Sequence, residues 1–379
     1  MNPKIAFSPQ KLPLNRFQIN IEKQTMKLLE ASKKLTEVMC TIRTTKLPPT
    51  FFMVQSLDEA VSSTRIEGTR VELTEMLEHN IEKKDKQKAS DDIQETKNYL
   101  EALHMIKTEL DDHGFSERFI KSMHRIVLAH NVRGGQKDAG EYRRLQVCVG
   151  NDYMPPISSL IPDYMSNLFN YINGVYEPGV LEETKDFDKN LPPLIKTAVI
   201  HAHFETIHPF LDGNGRTGRI LIPAYLYYRR EISHPNLFFL SKTLEKSKYL
   251  YYDRLNGTRK DADGEGWNLW IDYFLTSVVK HCDMQIRVLT LASELYEELC
   301  TDIERKYNSV RIKKVIDYAF SSPILTRQST AINLGLSKST ATKYINVLVE
   351  NNILTPDSKA RNKRYYFYPI IELVEQVNI

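Results

Sequence analysis

Along most of the chain apolar residues return every three or four positions, and this period restricts the fold more than any other feature of the sequence. It runs through YLEALHMI, FIKSMHRIVLAH, YMSNLFNYI, LIKTAVIHAHF and ILIPAYLYY, the spacing that lays an apolar stripe along an α-helix. From Ser56 to about Leu275 the expectation is therefore mainly α. A further helix is expected through IEKQTMKLLEASKKLTEVMC, before a break at LPPT, so residues 1–55 read as an N-terminal helical arm. One stretch departs from the period. In LQVCVGNDYMPP, Leu145, Val147 and Val149 alternate with Gln146 and Cys148 ahead of a Gly-Asn-Asp turn and a Pro-Pro stop, which predicts a small β-hairpin.

A chain of 379 residues has room for more than one core. After DADGEGW a helical run continues through Thr301, so residues 56–275 are expected to form one domain, 276–310 connecting helices and 311–379 a separate unit. In TRQSTAINLGLSKSTATKYINVLVENNIL, Gly335 separates two short helices, and Ala341, Ile345, Leu348 and Asn352 mark one face of the second. That is helix-turn-helix spacing. TPDSKARNKRYYFYP then alternates basic and aromatic residues, as the β-wing of a winged helix would.

Bulk charge decides little: 51 Lys+Arg against 48 Asp+Glu leave +3, which favours neither nucleic acid nor membrane as a partner. Cys40, Cys148, Cys282 and Cys300 are widely spaced with no CxxC pair, so neither a zinc site nor a disulfide framework is suggested. No signal-peptide core and no membrane-length apolar stretch is present. The expected location is cytoplasmic.

The chemistry concentrates in HPFLDGNGRTGR, residues 208–219, between two apolar helical runs. The glycines fall where a helix begins, near Asn214. There the first backbone N–H groups lack partners and the macrodipole is positive, so the entrance suits an anion, and Gly213 and Gly215 let a phosphate approach closely. Arg216 and Arg219 share one face of the first turns. Cations at that pole are locally unfavourable, so they make sense only if a polyanion docks there. Asp212 would repel phosphate unless a hard cation lay between, which makes it the Mg2+ ligand. His208 is the nearby group able to take a proton near neutral pH, hence the general base. A zinc reading through His201, His203 and His208 is disfavoured, because i,i+2 residues point to opposite helix faces; His201 and His203 read as structural, and Phe204 and Phe210 as core anchors.

His208, Phe210, Asp212, Gly213, Asn214, Gly215, Arg216 and Arg219 match the HxFx(D/E)GNGRxxR signature of Fic domains at every specified position. The chain resembles the AMP-transferring members, since the fifth signature residue is acidic and the second arginine is present. The resemblance implies a Fic-type helical core with a hairpin flap and a C-terminal winged-helix (α+β) domain. It also implies transfer of AMP from ATP to a protein side-chain hydroxyl, of Ser, Thr or Tyr, on another protein or on the chain itself. In that reading His208 is the base, Asp212 holds Mg2+, and Gly213, Asn214, Gly215, Arg216 and Arg219 bind the ATP phosphates. Tyr252, in YYDRL, would stand near the adenine. The predicted hairpin resembles the family's flap, where an extended target segment adds as a strand, with Val149, Tyr153 and Met154 as docking positions.

SLDEAVSSTRIEGT carries a second device. Ser56 and Glu59 form a capping box that predicts a helix of residues 57–67, ended by Gly68. Ser63 and Glu67 share a face, and Glu67 falls in the last turn, where the dipole disfavours a carboxylate. Glu67 at a negative pole and Arg219 near a positive one are each other's remedy. Ser63, Glu67 and Gly68 match the (S/T)xxxE(G/N) inhibitory motif of Fic proteins, which implies that Glu67 blocks the γ-phosphate position. The loop itself does not separate AMP transfer from AMP removal. A nucleotide-sensing DNA-binding regulator is the other reading, with Ser337, Lys338, Ser339 and Thr340 opening the recognition helix and Lys359, Arg361, Lys363 and Arg364 in the wing.

Overall fold

Prolines, glycines and small polar residues fix where the helices begin and end. A computed structural model describes residues 5–81, 90–132, 138–150, 153–260, 264–307, 309–359 and 361–376. In chain order the first helices are α1 (Ile21–Thr44), α2 (Phe52–Ile66), α3 (Leu73–Ile81), α4 (Asp91–His113), α5 (Glu117–Val127), α6 (Ile161–Ile172), α7 (Glu182–Lys189) and α8 (Pro193–Ile207). There follow α9 (Asn214–Tyr228), α10 (Ser241–Lys246), α11 (Lys248–Arg259), α12 (Glu265–Tyr307) and α13 (Val310–Ser321). The remainder is β1 (Ile324–Thr326), α14 (Arg327–Asn333), α15 (Lys338–Glu350), β2 (Thr355–Pro356), β3 (Arg364–Tyr366) and α16 (Tyr368–Gln376). Ser90, Ser116 and Ser337 accept a backbone N–H at the starts of α4, α5 and α15, each supplying one of the donors a helix start leaves open. The mainly α class expected from periodicity is what the chain adopts.

Two compact units divide the chain. The first comprises Met1–Thr36, Ser62–Thr69 and Ser90–His281. Within it α4, α5, α8 and α9 pack together, with α6 and α11 against α8. From Leu194 to Ile207 only Lys196 of α8 escapes full burial, so this helix is enclosed on all sides and no single apolar stripe is needed. The second unit comprises Glu37–Val61, Arg70–Ala89 and Cys282–Ile379. Its core gathers Phe51, Leu289, Val315, Phe320, Ile345 and Phe367. A three-stranded antiparallel sheet in the order β1-β3-β2 pairs Thr326 with Arg364 and Thr355 with Tyr366. Gly335 (φ 60°) turns the chain between α14 and α15, and Ala341, Ile345 and Leu348 are buried as the spacing required, whereas Asn352 lies past the helix end.

Three local expectations need correction. Helix α2 starts at Phe52, so the Ser56–Glu59 capping box does not exist; Ser56 lies a turn inside and its hydroxyl donates to the Phe52 carbonyl at 3.0 Å. The start is set upstream by a 3₁₀ turn at Pro49–Phe51, with proline in the position whose missing N–H costs nothing. The predicted hairpin is only a single bridge between Val149 and Tyr153, and its Asn151-Asp152 tip lies outside the described residues. Leu145 stays 66% exposed: three alternating apolar residues have no sheet face to bury against, and Pro155 and Pro156 have no N–H for a ladder. Finally, the helical run expected to Thr301 continues unbroken to Tyr307.

Candidate active site

The turn between α8 and α9, wholly within the first unit, is built by side chains that grip its backbone. His208 closes α8 in the left-handed region (φ 49°, ψ 60°), which costs a side-chain-bearing residue energy and persists only where surroundings enforce it. Buried Arg143 enforces it. Its Nε donates to the His208 carbonyl at 2.9 Å, its Nη2 to Pro156 at 2.6 Å and its Nη1 to Leu145 at 3.0 Å, joining the base of the flap to the turn. Phe210 is fully buried and stacks on His124 with ring centroids 3.7 Å apart. Gly140 N–H donates to His124 Nδ1 at 2.8 Å, which leaves the proton on Nε2 to be given to the Asp212 carbonyl at 2.9 Å. Burial pushes the His124 imidazole down to about 4, in keeping with that neutral form.

Asn214 brackets the loop: its Oδ1 accepts Phe210 N–H at 2.9 Å and its Nδ2 donates to Phe210 C=O at 2.8 Å. Its side chain is thereby committed to the loop, leaving its backbone for a ligand. Gly213 takes a left-handed φ of 75°, and α9 begins with neither a side-chain cap nor an acidic residue in its own first turn. Its open N–H groups thus face the space at the entrance.

Glu67 stands at that entrance. A Cβ added to Gly215 would lie 2.3 Å from Glu67 Oε1, which measures how closely the carboxylate presses on the first turn. Arg219 Nη2 donates to Glu67 Oε1 at 2.8 Å and to Ser63 C=O at 3.0 Å, while its Nε donates to Ser63 Oγ at 2.8 Å. Gly68 ends this stretch with φ 102°, where a side chain would be strained. Burial would raise the Glu67 carboxyl, but the charge and hydrogen bond of Arg219 outweigh it and hold the group below its ordinary value.

Arg216 is paired differently, with Glu95 of α4 at 3.3 Å, both side chains 3% exposed, and more loosely with half-exposed Asp212 at 3.6 Å. Two guanidinium nitrogens, Arg216 Nε and Arg219 Nη1, are buried without a hydrogen-bond partner. His208 Nδ1 is likewise unpartnered. Burial first, then the charges of Arg259 and Arg143, push the His208 imidazole down to about 3, so the resting imidazole is neutral. Donors, a half-exposed carboxylate and a neutral imidazole around an open helix start are groups that could hold a polyphosphate and its cation. Among the described residues no cluster of three or more His, Cys, Asp or Glu is placed to hold a metal by itself, so Asp212 would need phosphate oxygens to complete a coordination shell.

Other expected residues are placed as follows. Tyr252 is half-exposed on α11 beside buried Tyr251, whose hydroxyl meets His201 Nε2 at 2.9 Å. His201 Nδ1 lies 2.9 Å from Gly218 C=O, and His203 is buried; neither reaches a common ligand with His208. Tyr153 donates its hydroxyl to Thr206 C=O at 2.5 Å and carries Arg259 over its ring at 3.8 Å. Arg259 also bonds Glu205 C=O and Thr206 Oγ1, so flap, α8 and α11 are tied together beside His208. In the other unit Arg364 pairs with Glu78 at 2.7 Å, which removes one cation from the segment expected as a wing.

Sequence reasoning missed Glu95, His124, Arg143, Glu205 and Arg259. His124 left a trace, since it sits on the buried stripe Phe119, Ile120, Met123 and Val127 of α5, where an imidazole needs partners. The others left none: the partners that tie them to the site are mostly remote in sequence.

A turn of this construction precedes an uncapped, glycine-opened helix, and comparison with known proteins gives its family. The Fic/DOC family model matches residues 114–226, and the Fic/DOC family N-terminal model matches residues 25–105. The chain belongs to the Fic/DOC family. A protein adenylyltransferase Fic of Drosophila willistoni is 30% identical over 136 residues, which is 36% of this chain and 23% of that protein. A probable protein adenylyltransferase of Aquifex aeolicus is 25% identical over 177 residues, 45% of this chain and 47% of the other. The chain thus matches less than half the length of either relative. A Fic family protein from Desulfovibrio desulfuricans has the same fold (TM-score 0.58, 18% identity) over 94% of this chain and 98% of its own. So does a Fic domain containing signaling protein from Bacteroides thetaiotaomicron (TM-score 0.51, 19% identity), over 69% of this chain and 97% of its own. At such identities the likeness carries the fold alone.

Proposed function

We propose that the chain is a protein adenylyltransferase, moving AMP from ATP to a side-chain hydroxyl of a protein, and that Glu67 holds it inactive. The observation that carries this reading is the Glu67 carboxylate on Arg219 at the open start of α9: the protein places an anion of its own where a polyphosphate would otherwise sit. The names of the adenylyltransferase relatives support the reaction class.

With Glu67 withdrawn, the amides of Asn214 and Gly215, joined by that of Gly213 once it leaves Asp212 Oδ1, and the guanidiniums of Arg216 and Arg219 take the phosphates. Mg2+, held by Asp212 and phosphate oxygens, would offset charge on the leaving pyrophosphate. The acceptor hydroxyl gives its proton to His208 as its oxygen forms a bond to the α-phosphorus, and the bond from that phosphorus to the pyrophosphate oxygen breaks. Tyr252 stands on the adenine side. The C-terminal unit, read as a winged helix, recognises a partner through α15; a DNA partner is the weaker reading, because Arg364 is already paired with Glu78.

Labelled ATP with Mg2+ tests the roles. Glu67→Gly should raise incorporation of label into protein, and His208→Ala in the same background should abolish it. An unchanged rate in the first removes the inhibitory role, and surviving transfer in the second removes the base. Mass spectrometry of the labelled protein reports added AMP, and release of AMP from that product would favour removal over transfer.

A further inference from the structure

The two arms of the flap differ in what covers them. Val149 and Tyr153 exchange both main-chain hydrogen bonds across the single bridge, so the polar groups of Met154, one residue on, point away from it, as extended backbone alternates. The Met154 carbonyl accepts the N–H of Phe7 at 2.8 Å. The Phe7 ring packs against Tyr153 with centroids 6.0 Å apart and a 59° tilt. A segment of the chain's own thus lies against that edge, held there at Phe7.

This segment is held unequally. Leu12 and Leu14 are buried, and the Leu12 N–H and C=O both bond the Asn167 side chain, at 2.8 and 3.0 Å. Lys11 pairs with Asp163 and Glu177. Toward the tip, Ile5 is 89% exposed and Ser8 is exposed. Phe7 meets the flap through one main-chain bond and one ring pair.

We propose that residues 5–8 are a displaceable occupant of the flap edge used by the acceptor, so that an acceptor segment enters only as this tip leaves. The inference rests on the transfer reading above and adds a control separate from Glu67: one occupant faces the nucleotide, the other the acceptor. Phe7 also displays the chemistry an acceptor must offer, an extended segment with an N–H for Met154 C=O and an apolar or aromatic side chain for Tyr153.

The test uses the full chain with Glu67→Gly. Phe7→Pro deletes both the N–H and the ring, and Phe7→Ala deletes the ring alone. With lysate proteins as acceptors at limiting concentration, Phe7→Pro should raise labelling about fivefold, the worth of one net main-chain hydrogen bond, and Phe7→Ala by less, with KM for ATP unchanged. Labelling that Phe7→Pro leaves equal or lowers overturns the proposal while the transfer reading stands. Bound ATP with no label in any variant removes the transfer reading and the proposal together. Hydrogen exchange gives a readout independent of activity: the Phe7 amide should exchange slowly, and faster in Tyr153→Ala. Exchange of that amide at the free-chain rate overturns the seat itself.

Discussion

Glu205 is a buried carboxyl of the first unit with an oxygen that no partner satisfies. Burial raises its carboxyl to about 7 from 4.5, against the lowering charge of Arg219. A carboxyl whose folded value is raised contributes fully below its unfolded value, and the contribution is lost as pH climbs through the folded value. Stability should therefore fall between about pH 4.5 and pH 7, by up to about 3 kcal/mol. Glu205→Gln should flatten that slope in urea unfolding, and parallel curves for the two proteins would sink the idea. Glu95 tests the opposite case. Glu95→Ala leaves the Arg216 guanidinium buried with only distant, half-exposed Asp212 beside it, and the loss should approach the lower end of about 3–5 kcal/mol, read as a lower urea midpoint.

At the level of elements, helix α9 owes its open start to Gly213 and Gly215, and both effects were legible in the sequence as glycines at a helix entrance. The pairing of Arg219 with Glu67 was legible too, as two charges each at the wrong helix pole. What sequence could not supply were the groups that hold the loop still. Arg143 acts through carbonyls at positions 145, 156 and 208, and its own neighbours in sequence show no pattern that marks it. The start of α2 was misread for the reverse reason: a strong local capping signal at Ser56 lost to a proline turn upstream. Gly218 offers a check on packing between α8 and α9, since a Cβ there would meet Glu205 Oε1 at 2.1 Å. Gly218→Ala should destabilise the fold, and Glu205→Gly in the same chain should recover part of the loss; an additive result would argue against the contact.

For the molecule as a whole, periodicity foretold the helical class, while the small sheet was visible only as a basic-aromatic alternation near the end. Ligand linkage gives a test that needs no acceptor. In Glu67→Gly, ATP with Mg2+ at roughly a hundred times its Kd should stabilise the first unit by about 2.7 kcal/mol, seen as a raised transition in calorimetry. The parent chain should respond far less, because Glu67 already fills the entrance; an equal response in both would dismiss competition between carboxylate and nucleotide. The torsion at His208 has a practical corollary for anyone improving this protein. A search for hardier variants would reward replacing that imidazole with glycine or asparagine, whose main chains rest easily in such a mirror-sense turn. The thermally fittest clones would then be enriched in molecules unable to accept a proton, so any such selection has to be run alongside a turnover assay.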